Sequence, residues 1–189
     1  MSYLFYASND DYMTVIAISG QPGCGSTTTG RLLAKKLGLQ FFSAGEYFKS
    51  FSKGKTQEAV EFLGSEKGSS KDFHEAIDRL MVEKAKKGDI VIDGKLAIHF
   101  LKEIAGAKIW LKASPAKRAE RYAKRDGISV ESAARTVNEK DGLERKTFRK
   151  LYGFDTFSQE KEADFVIDTS DKTPEQVVLG IIAFVNRKV

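Results

Sequence analysis

The residues best suited to holding an anion lie in Gly20-Gln-Pro-Gly-Cys-Gly-Ser-Thr-Thr28, directly after the apolar run Val15 to Ile18. Gly20, Gly23 and Gly25 let the backbone curl so that successive N–H groups aim at one anion. A helix starting just beyond adds its positive dipole end. The chemistry this predicts is phosphate binding. The spacing G-x-x-x-x-G-K-[ST] is met at Gly20, Gly25 and Thr27, but Ser26 stands where the pattern has the lysine that reaches the β- and γ-phosphates. A plain Gly/Ser/Thr turn between strand and helix is the alternative. The strand signal before the turn and Arg31-Leu-Leu-Ala-Lys-Lys-Leu37 after it favour the phosphate loop.

Other stretches carry chemistry of the same kind. Asp89-Ile-Val-Ile-Asp93 is a buried-type strand ending in an aspartate. Beside a phosphate loop such a residue commonly holds Mg²⁺, whereas an Asp-Gly turn is the competing explanation. Arg118, Arg121 and Arg125 recur at three and four residues, so they share one helix face. The segment 138–150 contains Lys140, Arg145, Lys146, Arg149 and Lys150, and reads as a surface helix or as a lid closing over phosphates. Ser43-Ala-Gly-Glu-Tyr-Phe-Lys49 is a second glycine-bearing turn after a strand, at the place where α/β sheets bind ligands. Cys24 sits inside the anion loop, where a lowered thiol pKa would make it redox-sensitive; the simpler role is that of a small filler.

The elements needed to position these groups can be read from periodicity and caps. Strands are expected at residues 15–18, 39–42, 89–93, 107–111 and 164–168. A helix is expected from Gly30 to Gly38, and a short one over 57–63. A longer helix is capped by Ser70 and carries Phe73, Ile77, Leu80 and Met81. Further helices start at Ser114-Pro115, run from Ser129 through Val137, and follow the capping box Thr173-Pro-Glu-Gln176. Strands alternating with helices imply an α/β fold with a five-stranded parallel sheet and helices on both faces. A helical insert over about residues 43–87 interrupts the alternation, either as an acceptor-binding arm or as packing.

Composition sets the bounds. At 189 residues the chain fits one domain, with 41% hydrophobic and 30% charged residues, as expected of a soluble globular protein. No apolar run approaches the ~18 residues of a membrane span. Residues 1–12 lack a basic start and an apolar segment, so they read as an extension before a fold that begins at Met13. One cysteine excludes an intramolecular disulfide framework and suits a reducing cytoplasm. The net charge of +5 points to anionic ligands, nucleotides or nucleic acid.

With these pieces placed, residues 13–189 resemble a P-loop nucleoside monophosphate kinase, most closely the archaeal-type cytidylate kinases. The resemblance rests on Ile18-Ser-Gly-Gln-Pro-Gly-Cys-Gly-Ser-Thr-Thr-Thr29, Ser43-Ala-Gly-Glu46, Val91-Ile-Asp-Gly-Lys-Leu96, Ile109-Trp-Leu-Lys-Ala-Ser114 and Leu151-Tyr-Gly-Phe-Asp155. It implies a three-layer P-loop fold and transfer of the ATP γ-phosphoryl group to CMP or dCMP with Mg²⁺. Gly20, Gly23, Cys24, Gly25, Ser26, Thr27 and Thr28 would cradle the donor phosphates, with Thr27 and Asp93 on the metal. Ser43, Gly45, Lys49, Gly94 and Lys95 would hold the acceptor. Arg118, Arg121, Arg125 and a lid over about 140–155, with Lys140, Arg145 and Arg149, would neutralise the phosphates. Lys49, Lys95 and Lys140 stand where the family usually has arginine, and Thr147 replaces a basic residue. Arg145 or Arg149 is expected to supply the missing lid charge. The expected protein is a cytoplasmic monomer. An adenylate or other small-molecule kinase, a nucleotide-binding regulator without turnover, and an RNA-binding protein using residues 117–150 are the competing readings; the last lacks interleaved aromatics and any RNA-module signature.

Overall fold

The computed structural model describes residues 14–51 and 56–188; the expected extension at residues 1–12, and residues 52–55 of the insert, lie outside them. Five strands form one parallel sheet in the order β2-β3-β1-β4-β5. These are β1 (Val15–Gly20), β2 (Gln40–Ser43), β3 (Ile90–Asp93), β4 (Ala107–Lys112) and β5 (Phe165–Asp168). β1 is central, and all six of its residues are buried. Its apolar run Val15 to Ile18, three of the four β-branched, is what a strand covered on both faces requires.

Alternate side chains divide the core between the two faces. Ile16, Ile18, Val91, Ile109 and Leu111 meet α1 (Ser26–Leu37) and α8 (Pro174–Lys188), which contributes Val177, Val178, Ile181, Ile182 and Val185. Val15, Ala17, Ile90 and Ile92 meet Met81 and Ala85 of α4 (Lys71–Ala85) and Ala97 of α5 (Ala97–Phe100). The insert comprises α2 (Ala44–Lys49), α3 (Thr56–Gly64) and α4, and α6 (Pro115–Asp126) packs on α7 (Val130–Tyr152).

The sequence caps form as read. Ser70, Ser114 and Ser129 accept from the backbone N–H groups of Phe73, Lys117 and Ser132. Thr173 and Gln176 close a reciprocal box at 3.2 and 2.9 Å. Three expectations change. The stretch 43–49, read as a glycine-bearing turn, is the short helix α2, because Ser43 accepts from the Glu46 N–H and caps it. The first helix starts at Ser26 rather than Gly30, because the hydroxyl residues themselves form its first turn. The segment after Val137 is not separate from the helix that Ser129 caps. α7 runs without a break for 23 residues, since Ala133, Val137, Glu144 and Phe148 keep one face buried past Gly142.

The register fixes where chemistry can occur. Ile18 lies opposite Asp93, Ser43 opposite Asp93, and Gly20 opposite Leu111. The carboxyl ends of four adjacent strands therefore form one rim, where open α/β sheets place their ligands.

Candidate active site

The glycine turn leaves β1 at this rim. Gly23 and Gly25 adopt φ of 80° and 92°, left-handed backbone that side-chain-bearing residues rarely take. Gly20 has no room for a side chain: a Cβ there would lie 2.3 Å from the Leu111 carbonyl oxygen and 2.7 Å from Cys24 Sγ. Gly25 is the N-cap of α1, and no side chain caps that end. The first N–H groups of the helix consequently face the turn with their positive dipole end, the arrangement that holds a phosphate.

The α6 arginines fix the turn from outside. Arg121 Nη1 donates to the carbonyls of Gly23 (3.2 Å) and Cys24 (3.1 Å) and to Thr169 Oγ1 (2.9 Å). Buried Arg118 donates to the Pro22 carbonyl (3.1 Å) and to Asp141 (2.8 Å), which ties the turn to α7. These contacts hold the turn's carbonyls; the N–H groups of Gln21 and Cys24 are spent on the Leu111 and Gln21 carbonyls, so anion binding falls to the N–H groups at the start of α1. Cys24 is buried, and burial pushes its thiol up to about 11, so the filler role fits and a reactive thiolate does not.

Asp93 is a hub. Its Oδ2 accepts from Thr27 Oγ1 at 2.7 Å and from Ser43 Oγ at 2.8 Å. Ser43 also accepts from the Glu46 N–H, so one hydroxyl caps α2 and orients the carboxylate. The three oxygens bring α1, β2 and β3 to one point beside the turn.

A cavity of about 660 Å³ opens from there and is lined by Gly20, Ser26, Thr28, Gly45, Gly94 and many others. That size suits a small organic ligand or a nucleotide. Its middle is cationic. Lys95 Nζ donates to the Gly20 carbonyl at 2.9 Å and pairs with buried Glu144 at 3.1 Å; Lys140 pairs with the same carboxylate at 3.6 Å. Burial opposes the charge on both Lys95 and Glu144, yet their mutual attraction prevails: Lys95 is held above the usual lysine range and Glu144 below the usual carboxylate range. Lys49 lies in the same wall, pushed down to about 8 by burial and by the like charges of Lys140 and Arg125. Arg125 stacks over the Tyr122 ring, 4.2 Å from its centroid.

The far end is apolar. Phe48, Leu63, His74, Ile77, Met81 and Phe148 line it. The His74 ring lies nearly parallel to Phe48 and hydrogen-bonds the Gly68 carbonyl at 2.8 Å. Asp78 also lines this end and accepts from the Tyr152 hydroxyl; burial pushes its carboxyl up to about 6.

The cavity thus brings together most of the residues singled out in the sequence: the glycine turn, Thr27, Asp93, Gly45, Lys49, Gly94, Lys95, Arg121, Arg125 and Lys140. Ser43 reaches it through Asp93. Arg145 and Arg149 are elsewhere, both bonded to Asp155 and neither lining the cavity. Arg118 lies behind the turn. Sequence reasoning passed over Glu144, whose i,i+4 spacing from Lys140 was a usable signal. It also passed over Asp78, Tyr122 and Thr169, which carried none.

The sequence profile of the cytidylate kinase-like family matches residues 15–171. The chain belongs to the cytidylate kinase-like family. This cytidylate kinase-like chain is 39% identical over 158 residues to a cytidylate kinase of Pyrobaculum aerophilum, covering 84% of this chain and 85% of that one. It is 38% identical over 168 residues to one of Ignicoccus hospitalis, covering 88% and 95%. It is 37% identical over 175 residues to one of Pyrococcus horikoshii, covering 93% and 88%. Among solved structures, the shikimate kinase from Acinetobacter baumannii in complex with shikimate superposes with a TM-score of 0.62 at 19% identity, covering 93% of this chain and 94% of that one. The shikimate kinase from Bacteroides thetaiotaomicron gives 0.63 at 18%, covering 93% and 99%. Those two likenesses establish the fold alone: an α/β sheet of the P-loop kinase type. Membership makes the chain a kinase, as its phosphate turn implies. Among the described residues no helix is long and apolar enough to cross a membrane.

Proposed function

We propose that this chain transfers the γ-phosphoryl group of ATP to CMP or dCMP, giving ADP and CDP or dCDP. The observation that carries this reading is a single cavity joining an uncapped glycine turn, the Asp93–Thr27–Ser43 hub and a cationic wall that ends in an aromatic pocket. The relatives named cytidylate kinase support cytidylate as the acceptor.

Phosphoryl transfer needs alignment and charge stabilisation more than covalent help from the protein. The N–H groups at the start of α1 would hold the donor phosphates. Lys49, Lys140 and Arg125 would balance the charge of the acceptor phosphate and of the group in transit. Ser43, Gly45 and Gly94 would shape the acceptor's approach, with the base among Phe48, His74 and Phe148. Mg²⁺ fits this site: the Thr27 hydroxyl and the Asp93 carboxylate are hard oxygens already 2.7 Å apart, and phosphate oxygens and water complete such a shell. When bound it would neutralise phosphate charge. The insert reads as the acceptor arm, and the second half of α7 as the wall that closes over the phosphates. The buried lone thiol suits the cytoplasm.

The test is a phosphotransfer screen with ATP and Mg²⁺ against CMP, dCMP, UMP, AMP and GMP. ADP release with CMP or dCMP well above the others is the expected result. A preference for AMP would make this an adenylate kinase. ATP binding without ADP release on any acceptor would make it a regulator. Steeply salt-dependent RNA binding without phosphotransfer would revive the RNA reading.

A further inference from the structure

The phosphate turn lacks its lysine, and the structure brings another ammonium to it. We propose that Lys95, delivered from the end of β3, serves the donor phosphates in place of the lysine absent at Ser26. This rests on the phosphotransfer reading and names which residue completes it.

The register makes the delivery geometric. β1 and β3 are parallel neighbours whose register ends with Ile18 opposite Asp93, and Gly20 and Lys95 each lie two residues beyond that pair. The Gly94 N–H donates to the Ile18 carbonyl at 3.0 Å and Ser19 Oγ donates to the Gly94 carbonyl at 2.8 Å, which stitches the two strand ends together past the sheet. Lys95 Nζ then lies 2.9 Å from the carbonyl of Gly20, the first glycine of the turn. A lysine at position 26 would reach back over the turn from the first turn of α1; Lys95 reaches the same loop from the neighbouring strand.

Lys49 and Lys172 also line the cavity, and several of the other cations are differently occupied. Arg121 spends its Nη1 contacts on the carbonyls of Gly23 and Cys24 and on Thr169. Arg125 is bonded to Asp126 and stacked on Tyr122. Arg145 and Arg149 hold Asp155. Lys140 pairs with Glu144. Lys95 is both in the cavity and on the turn's backbone. An ammonium has three N–H donors. The Gly20 carbonyl engages one and Glu144 lies at 3.1 Å as an ion-pair partner, which leaves a donor for a phosphate oxygen. Glu144 keeps the group charged despite its burial. During transfer a bond forms from an acceptor phosphate oxygen to the γ-phosphorus while the bond to the β–γ bridging oxygen breaks. Negative charge then grows on the departing ADP, where a fixed cation at the turn acts most strongly.

The experiment compares wild type, Lys95→Met, Lys95→Arg, Ser26→Lys and the double variant Ser26→Lys/Lys95→Met. It measures kcat with ATP and CMP, and the equilibrium affinity for each nucleotide separately. Lys95→Met is expected to lower kcat about 10²–10³-fold, the scale of losing one preorganised group in a transition state. It should weaken ATP binding about tenfold or more and leave CMP affinity within about threefold, a split that a merely structural role would not produce. The double variant should recover about tenfold or more in kcat, because the new lysine enters from the helix side. Weakened CMP binding with ATP binding intact would overturn the proposal and return Lys95 to the acceptor, and a folded double variant without recovery would also overturn it. If Lys95→Met does not fold, Lys95→Arg decides: tighter or unchanged ATP binding supports the donor role, and loss confined to CMP refutes it. Should wild type phosphorylate no nucleotide, the phosphotransfer reading fails on its own, and the ATP-affinity comparison still judges Lys95.

Discussion

Glu144→Gln is the substitution that most directly probes how the cationic wall is held together. Glu144 is buried and meets two ammonium groups, Lys95 at 3.1 Å and Lys140 at 3.6 Å. At an effective dielectric of about 20, each contact is worth roughly 5 kcal/mol of Coulomb energy, most of it offset by taking three ions out of water. Removing one partner from a buried ion pair costs about 3–5 kcal/mol, because the other charge stays buried. Here the lysine side chains keep 20% and 13% of their exposure, so some water remains and about 2–4 kcal/mol is expected. For a domain of this length that lowers Tm by about 5–15 °C. Urea unfolding at pH 7, followed by circular dichroism, reads the change. The sign with pH follows from the direction of the shift. Glu144 is held below its ordinary value, so its stabilisation is present above about pH 4.5 and is lost as pH falls through the lower folded value; the Gln variant lacks that acid-side loss. Added sulfate should stabilise the variant more than wild type, since an anion can take the carboxylate's place. A loss under about 0.5 kcal/mol, within the range of an ordinary surface substitution, would refute the claim that Glu144 neutralises this wall.

Three further outcomes follow from the same cavity. Lys49 titrates near 8, and a phosphate dianion beside it raises that value, so CMP binding at pH 8 should draw in up to about half a proton. Calorimetry in two buffers of different ionisation enthalpy reads the uptake, which should vanish at pH 6 and in Lys49→Arg. Asp78 binds its proton more readily in the fold, near 6, than in the unfolded chain, near 3.8, so its contribution to stability grows as pH falls from about 6 towards 4. Asp78→Asn should therefore stabilise the protein at pH 8 by up to about 3 kcal/mol and gain nothing at pH 4; equal effects at both would exclude the assignment. Gly20→Ala drives a methyl against the Leu111 carbonyl at 2.3 Å, where backbone cannot yield cheaply, and should cost about 2–3 kcal/mol or prevent soluble expression. A Tm within 2 °C of wild type, less than about 1 kcal/mol at this size, would show that the strand ends can spread.

Much of this architecture could be read from local signals, because each was a local physical demand. Serine caps at 70, 114 and 129 satisfy helix N–H groups next to themselves, and the T-x-x-Q box at 173–176 does the same. A strand ending in Asp93 and a turn opening at Ser43 after the second strand announced the rim. What escaped depends on which elements meet in space. Basic character at Arg145 and Arg149 pointed to phosphate, but both side chains turn to Asp155, ten and six residues on. Three arginines spaced along one helix looked equivalent. The fold sends Arg118 behind the turn, Arg121 onto its carbonyls and Arg125 over Tyr122. Lys95 was noticed for its position after Asp93, while its approach to Gly20 follows from strand register, which no local pattern encodes.

The unbroken course of α7 has a mechanical consequence. At 1.5 Å per residue its 23 residues make a stiff rod about 34 Å long. From its middle Glu144 meets Lys95 in the cationic part of the cavity, and from its tip Tyr152 meets Asp78 at the apolar end. A rod cannot release one contact and keep the other as a hinged flap could. A tilt of a few degrees at the Ser129 end therefore moves the contacts of Glu144 and Tyr152 together.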